Sequence, residues 1–218
     1  HTIESVKSQT FKNIEHIVCD GGSWDGTVDI IKSKGGDHIT LLEGSDNGIY
    51  DAINKGIQHA TGDVIAILNS DDFYNGELVL EKVANAFSNG TSAVYGDLIY
   101  VKSHNTDRIV RYWKSGEYHP NKFLRGWTIP HPSLFIKKSA YEKYGLYNDS
   151  YKIAGDYDLI LRLLFKQKVE VKYIPEVLVK MRTRGASNGS ISKKVKVHNE
   201  DKQAWKNNGI KPYFLHCG

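Results

Sequence analysis

Sulfur is nearly absent from this chain, which has two cysteines, one methionine and only five prolines in 218 residues. Cys19 lies inside an apolar run and Cys217 beside the terminus, so neither a zinc-ligand spacing nor a disulfide framework is indicated. A reducing cytoplasm is the expected setting. Long apolar runs are missing as well: nothing approaches the roughly 18 to 20 residues that a membrane-spanning helix requires. Residues 1–9 lack the charged-then-apolar order of a secretory leader. Neither the Walker spacing nor Gly-x-Gly-x-x-Gly occurs, which sets aside P-loop and dinucleotide-binding enzymes. There is no internal repeat and no low-complexity stretch.

What is present is the balance of an ordinary folded domain, with 40% hydrophobic, 11% aromatic and 25% charged residues. A chain of this length buries about 70% of its extended surface and needs no covalent staple. The net charge of +4 is concentrated at the end, where the lysines at 193, 194, 196, 202, 206 and 211 face only Glu200 and Asp201. Such a tail is either a solvated helix face or a docking element for phosphates or an anionic membrane surface. The neutral body offers no basic stripe for nucleic acid.

Hydrophobic periodicity predicts the end of an amphipathic helix around Ile3 and Val6, then a strand over residues 14–19 closed by Asp20-Gly21-Gly22-Ser23. A helix over 25–34, a strand over 39–42, a helix through Ala52, Ile57 and Ala60, and a continuously apolar strand over 64–68 follow. This alternation predicts an α/β fold with a mixed, mostly parallel sheet whose third strand is covered on both faces. Beyond a helix over 77–87, alternating segments over 92–101 and 108–113 predict an antiparallel pair. An irregular, aromatic-rich stretch over 117–132, a strand over 133–136, a helix from Ser139, a helix over 156–168, a strand over 171–174 and a helical tail from Ile191 complete the reading.

Ligands of open parallel sheets bind beyond the carboxyl ends of the strands. Three strand ends here carry carboxylates: Asp20, Asp46 in Asp46-Asn47-Gly48, and Asp71 with Asp72 after Asn69-Ser70. Adjacent carboxylates on a buried strand end repel unless compensated, and magnesium or manganese does so while leaving sites for phosphate oxygens. The alternative is that one aspartate caps a helix and the other faces water. The glycines after Asp20 either form only a tight turn or let the backbone approach a base or ribose.

Together these blocks resemble the family 2 inverting glycosyltransferases of the GT-A fold. The resemblance rests on Ile17-Val18-Cys19-Asp20-Gly21-Gly22-Ser23-Trp24-Asp25-Gly26-Thr27, on Asp46-Asn47-Gly48-Ile49-Tyr50-Asp51-Ala52-Ile53-Asn54-Lys55-Gly56, on Ala60-Thr61-Gly62-Asp63 and on Asn69-Ser70-Asp71-Asp72. It extends to His131-Pro132-Ser133-Leu134-Phe135 and to Ala154-Gly155-Asp156-Tyr157-Asp158-Leu159-Ile160-Leu161-Arg162. A catalytic domain over 1–190 is implied, with a nucleotide-sugar half over 1–100 and an acceptor half over 101–190, followed by the basic tail over 191–218.

The resemblance implies that Asp20, Gly21, Gly22, Ser23, Asp46, Asn47, Gly48, Asn54 and Asp71 bind the nucleotide-sugar, that Asp72 holds Mn2+ or Mg2+, and that Asp156 is the general base. Asp156 also reads as a plain helix N-cap. Trp127 and His131 are candidate acceptor contacts, and Arg182 with Arg184, ahead of Gly185-Ala186-Ser187-Asn188-Gly189, a candidate diphosphate clamp; both sets read equally as packing and surface. The chain departs from the family pattern at Trp24, where a small polar residue is usual, and at Gly155, where many relatives carry an acid. The family's opening strand is not seen ahead of His1. The implied activity is inverting transfer from a nucleotide-activated sugar, a UDP-sugar being expected, to a glycan or lipid-linked glycan, in the cytoplasm or at the inner membrane face. A nucleotidyltransferase and a non-catalytic nucleotide- or carbohydrate-binding module are the alternatives.

Overall fold

The computed structural model describes residues 1–88, 90–183 and 191–211. The chain runs α1 (Thr2–Lys7), β1 (His16–Asp20), α2 (Thr27–Gly35), β2 (Ile39–Glu43), α3 (Ile49–His59), β3 (Val64–Ala66), β4 (Phe73–Tyr74) and α4 (Val79–Ala86). It continues through β5 (Ala93–Lys102), β6 (Asn105–Trp113), α5 (Pro120–Phe123), β7 (Leu134–Lys137), α6 (Lys138–Tyr144), α7 (Gly155–Ile160), β8 (Val171–Thr183) and α8 (Ile191–Asn207).

β5 is the spine, buried along almost its whole length. It pairs antiparallel with β7 and β6 and parallel with β8, giving the order β3-β7-β5-β8-β4 with β6 on the outer half of β5. Alternation along β5 builds two cores. Ala93 and Tyr95 face a layer containing Phe123, Ile129 and the buried leucines that follow α7, whereas Val94 and Leu98 face Phe135, Leu178 and Val179. Each such large side chain contributes roughly 1.5–3 kcal/mol by leaving water.

β8 is three times longer than the strand expected over 171–174, because Pro175 is accommodated rather than terminating it. The register jumps from Gly96 opposite Ile174 to Asp97 opposite Val177, so the proline sits in a bulge and no ladder bond needs its missing N–H. Gly96 makes this possible: a Cβ there would stand 2.4 Å from Leu178.

β1 and β2 form a separate parallel pair, and β3 ends the larger sheet with β7 as its partner. β3 is therefore an edge, not the doubly covered strand expected from its apolar run, and Ala66 is exposed. The approaches to β1 and β3 nevertheless meet, since Thr61 N–H donates to the Glu15 carboxylate at 2.7 Å. α8 folds back on the body: Ala204 and Trp205 are buried, and the Trp205 ring lies 6.3 Å from Tyr157 and 6.1 Å from Phe165.

Candidate functional site

The turns that end β1 and β2 meet. Oδ1 of Asp20 accepts from Gly22 N–H at 3.0 Å and Ser23 N–H at 2.7 Å, and these bonds to Ser23 hold the carboxyl below its ordinary value. Gly22 takes φ +99°, a conformation that only glycine adopts without strain. Gly21 brings the turn close to Asp46: a Cβ on it would lie 2.3 Å from Oδ2 of Asp46. That contact sets Asp46 against the Asp20 turn, and residues Gly21 to Asp25 line a surface depression there. Trp24 is 94% exposed at its rim. Asp46 in turn accepts from Gly48 N–H at 2.9 Å, and Asn47 N–H donates to Asp51, which shapes the entry to α3.

A second group forms around His131. Its Nδ1 lies 2.8 Å from Oδ2 of Asp156, while the Tyr50 hydroxyl donates to Oδ1 of the same carboxylate at 3.2 Å. Burial pushes the Asp156 carboxyl up, but the hydrogen bond and charge of His131, with the Tyr50 bond, outweigh it and leave the group below its usual value. His131 also acts electrostatically on Asp72. Asp72 is fully buried after β3; Oδ2 accepts from Asn69 at 3.1 Å, but Oδ1 has no hydrogen-bond partner. Burial, reinforced by the charge of Asp71, raises its carboxyl to about 6. The backbone of this segment is gripped from both sides, by Thr2 Oγ1 donating to the Ser70 and Asp72 carbonyls and by Arg182 Nη1 donating to the Asp71 carbonyl at 3.2 Å. Arg182 also lies over the Phe73 ring, 5.0 Å from its centre. Arg184 and residues 185–189 lie outside the described residues.

Tyr50 and Lys152 join the two groups. Tyr50, on α3 just past the Asp46 turn, reaches both the Asp156 carboxylate and the Ile153 carbonyl. Lys152 Nζ donates to the Asn47 carbonyl at 3.2 Å. Neither residue was singled out from the sequence, although Tyr50 sits inside the Asp46 block. The same contact explains the family departure at Gly155: a Cβ there would lie 2.7 Å from the Tyr50 ring.

Two expected site residues are engaged elsewhere. Asn54, expected on the nucleotide-sugar, donates to the Tyr147 carbonyl at 2.8 Å and accepts from its N–H at 3.0 Å, so both ends of its amide clasp the backbone of one residue. Trp127, expected on the acceptor, donates Nε1–H to the Ser115 carbonyl and packs edge-on against Phe123.

Among the described residues, no cluster of three His, Cys, Asp or Glu side chains forms a ready metal cage. The partnerless Oδ1 of buried Asp72 is nonetheless the kind of atom a cation satisfies, and magnesium or manganese takes one or two protein carboxylates when phosphates and water complete its shell. The donor set thus fits a divalent ion bound together with a diphosphate.

A family model described as glycosyl transferase family 2 matches residues 1–145. An uncharacterized glycosyltransferase of Mycobacterium tuberculosis is 34% identical over 166 residues, covering 74% of this chain and 62% of the relative. A PGL/p-HBAD biosynthesis glycosyltransferase of Mycobacterium bovis is 26% identical over 194 residues, covering 87% of this chain and 73% of the relative. The chain therefore spans under two thirds of the first of these relatives. Among solved structures, TarS 1-349 of S. aureus in complex with UDP-GlcNAc is similar with a TM-score of 0.68 and 14% identity, covering 97% of this chain and 63% of that one. The mannosyltransferase PcManGT of Pyrobaculum calidifontis, in complex with GDP-Man and Mn2+, follows at 0.67 and 17%, covering 94% and 58%. At these identities the likeness is one of fold: the curled mixed sheet flanked by helices matches the GT-A glycosyltransferases.

Proposed function

Because the chain belongs to glycosyl transferase family 2, we infer that it transfers a sugar from a nucleoside-diphosphate donor, a UDP-sugar, to a glycan or lipid-linked glycan with inversion, as in polysaccharide biosynthesis. The observation that carries this proposal is a pair of carboxylates in unlike states. Asp156 is kept ionised by His131 and Tyr50, and Asp72 is buried with an oxygen that lacks a partner.

Asp156 takes the proton of the acceptor hydroxyl as its oxygen attacks the anomeric carbon opposite the diphosphate, and the nucleoside diphosphate departs. Tyr50 and His131 orient the carboxylate. The turn from Asp20 to Ser23 and the facing Asp46-Asn47-Gly48 segment receive the nucleoside, with Asp71 towards the ribose or sugar. Asp72 would hold Mn2+ or Mg2+, which when bound supplies charge compensation to the diphosphate leaving group. His131 thus supports the base rather than contacting the acceptor alone. Support for the donor class comes from the two solved neighbours, one bound to UDP-GlcNAc and the other to GDP-Man with Mn2+.

No described helix is long and apolar enough to cross a membrane. Lys196, Lys202, Lys206 and Lys211 are exposed, and we assign them to peripheral contact with an anionic membrane where lipid-linked acceptors reside. Liposome sedimentation with these four lysines replaced should lose that binding.

The test of the reaction is incubation with UDP-sugars and manganese, following donor hydrolysis and transfer. Asp72→Ala should weaken metal-dependent donor binding, and Asp156→Asn should leave donor binding nearly intact while abolishing transfer. Equal affinity losses in the two variants would overturn the assigned roles, and donor binding without turnover by the unaltered protein would leave a binding module.

A further inference from the structure

α8 is not a bystander to the site. Oε2 of its Glu200 accepts from three successive backbone N–H groups, those of Lys152 at 3.2 Å, Ile153 at 2.8 Å and Ala154 at 2.9 Å. These amides lead directly into α7, whose N-terminus has no side-chain cap of its own. A carboxylate from a distant helix thus anchors the three residues that lead into α7. It does so two residues ahead of Asp156.

The peptide it grips is held from the other face as well. The Ile153 carbonyl accepts from the Tyr50 hydroxyl, and that hydroxyl also reaches Oδ1 of Asp156. Further along, α8 and the residue just after it fasten the residues that follow Asp156: Trp205 packs against Tyr157, and Asn208 Nδ2 donates to Oδ1 of Asp158 at 2.9 Å. Residues on both sides of Asp156 are therefore tied to one helix, while its side chain is tied to His131 and Tyr50.

The geometry points to Glu200 as a positioning residue for sugar transfer, one that sets where the Asp156 carboxylate stands by fixing the peptides of residues 152–154; this rests on the reading of Asp156 as the base. A negative charge on three convergent amides is a strong and directional restraint. A displacement of about 1 Å at a reacting group costs up to roughly a hundredfold in rate.

The experiment compares Glu200→Ala, Glu200→Gln and Asp156→Asn with the unaltered chain in the manganese-dependent transfer assay, with hydrogen exchange followed at the amides of 152–154. Glu200→Ala should lower kcat roughly tenfold to a hundredfold with donor KM little changed, and should lose amide protection. Glu200→Gln keeps an acceptor oxygen at the same reach and should restore most of both. If Glu200→Ala fails to fold, Glu200→Asp, which withdraws the carboxylate by one methylene, reads the same split. The proposal is overturned if amide protection is lost while kcat stays unchanged, or if kcat and donor KM deteriorate together and Gln does not rescue. Asp156→Asn transferring as fast as the unaltered chain would instead overturn the reading of Asp156, and with it the positioning role.

Discussion

Nδ1 of His131 stands 2.8 Å from Oδ2 of Asp156, within hydrogen-bonding reach of the carboxylate. The contact decides the charge of Asp156. Burial alone would raise its pKa, and the bond and charge of His131 reverse the sign. The lowered value means that Asp156 favours the folded state above the ordinary carboxylate value of about 4 and ceases to do so as pH falls through its folded value. In the unaltered protein kcat should therefore show no acidic limb between about pH 5 and 8. His131→Ala leaves only the weaker Tyr50 and Tyr157 bonds to oppose burial, so an acidic limb should move up into that range and the neutral-pH rate should fall about tenfold or more. A pH profile of His131→Ala that superimposes on the parent would show that the pairing does not govern the base.

Asp72 works in the opposite direction. Its carboxyl is raised to about 6 by burial, so between the ordinary value of about 4 and about 6 the folded state binds the extra proton. Without metal, stability should fall as pH rises through that window, by on the order of 3 kcal/mol. Asp201, likewise raised to about 6 by burial and by the charges of Asp156 and Glu200, adds to the slope. Thermal melts across the window should show a shallower slope for Asp72→Asn. Manganese with a nucleoside diphosphate should raise the neutral-pH Tm of the parent and not of the variant. A slope unchanged by the substitution would remove Asp72 as its source.

The parts legible in the sequence are those whose cause is local. A strand, a glycine turn and a helix leave their pattern within a dozen residues, which is why the turns carrying Asp20, Asp46 and Asp72 stand out, whereas Asp156 stands out through the family resemblance; the structure sets Asp46 against the Asp20 turn and Asp156 beside His131. What escaped depends on partners far along the chain. Tyr50 reaches a carbonyl 103 residues on, and Glu200 binds amides 46 to 48 residues earlier. Neither pairing has a local signature. The strand expected over 171–174 runs on to Thr183, because Pro175 falls in a bulge where Gly96 lets the facing strand slip its register.

Asn54 shows how a motif position can be structural. Its amide satisfies both the N–H and the carbonyl of Tyr147, so removing it strands two backbone groups that water reaches poorly. Asn54→Ala should destabilise the fold by about 1–3 kcal/mol, measured by urea unfolding. Nucleotide affinity measured on the folded protein should remain near that of the parent. A large affinity loss with unchanged stability would return Asn54 to the nucleotide site.

Gly21 provides the sharpest test of the nucleotide pocket. The Cβ introduced by Gly21→Ala would lie 2.3 Å from Oδ2 of Asp46 and 3.2 Å from its Cγ, and the backbone there has no left-handed φ to forbid alanine. The far end of an aspartate can swing away at little cost to stability. Swinging it away, however, opens the wall that it shares with the Asp20 turn. Titration calorimetry should show nucleoside diphosphate binding weakened about tenfold, or roughly 1.4 kcal/mol, with Tm nearly unchanged. Gly62→Ala, whose Cβ would meet nothing closer than the Val64 carbonyl at 3.9 Å, serves as the control and should bind like the parent. Undiminished affinity in Gly21→Ala would mean that the nucleoside is received somewhere other than between these two turns.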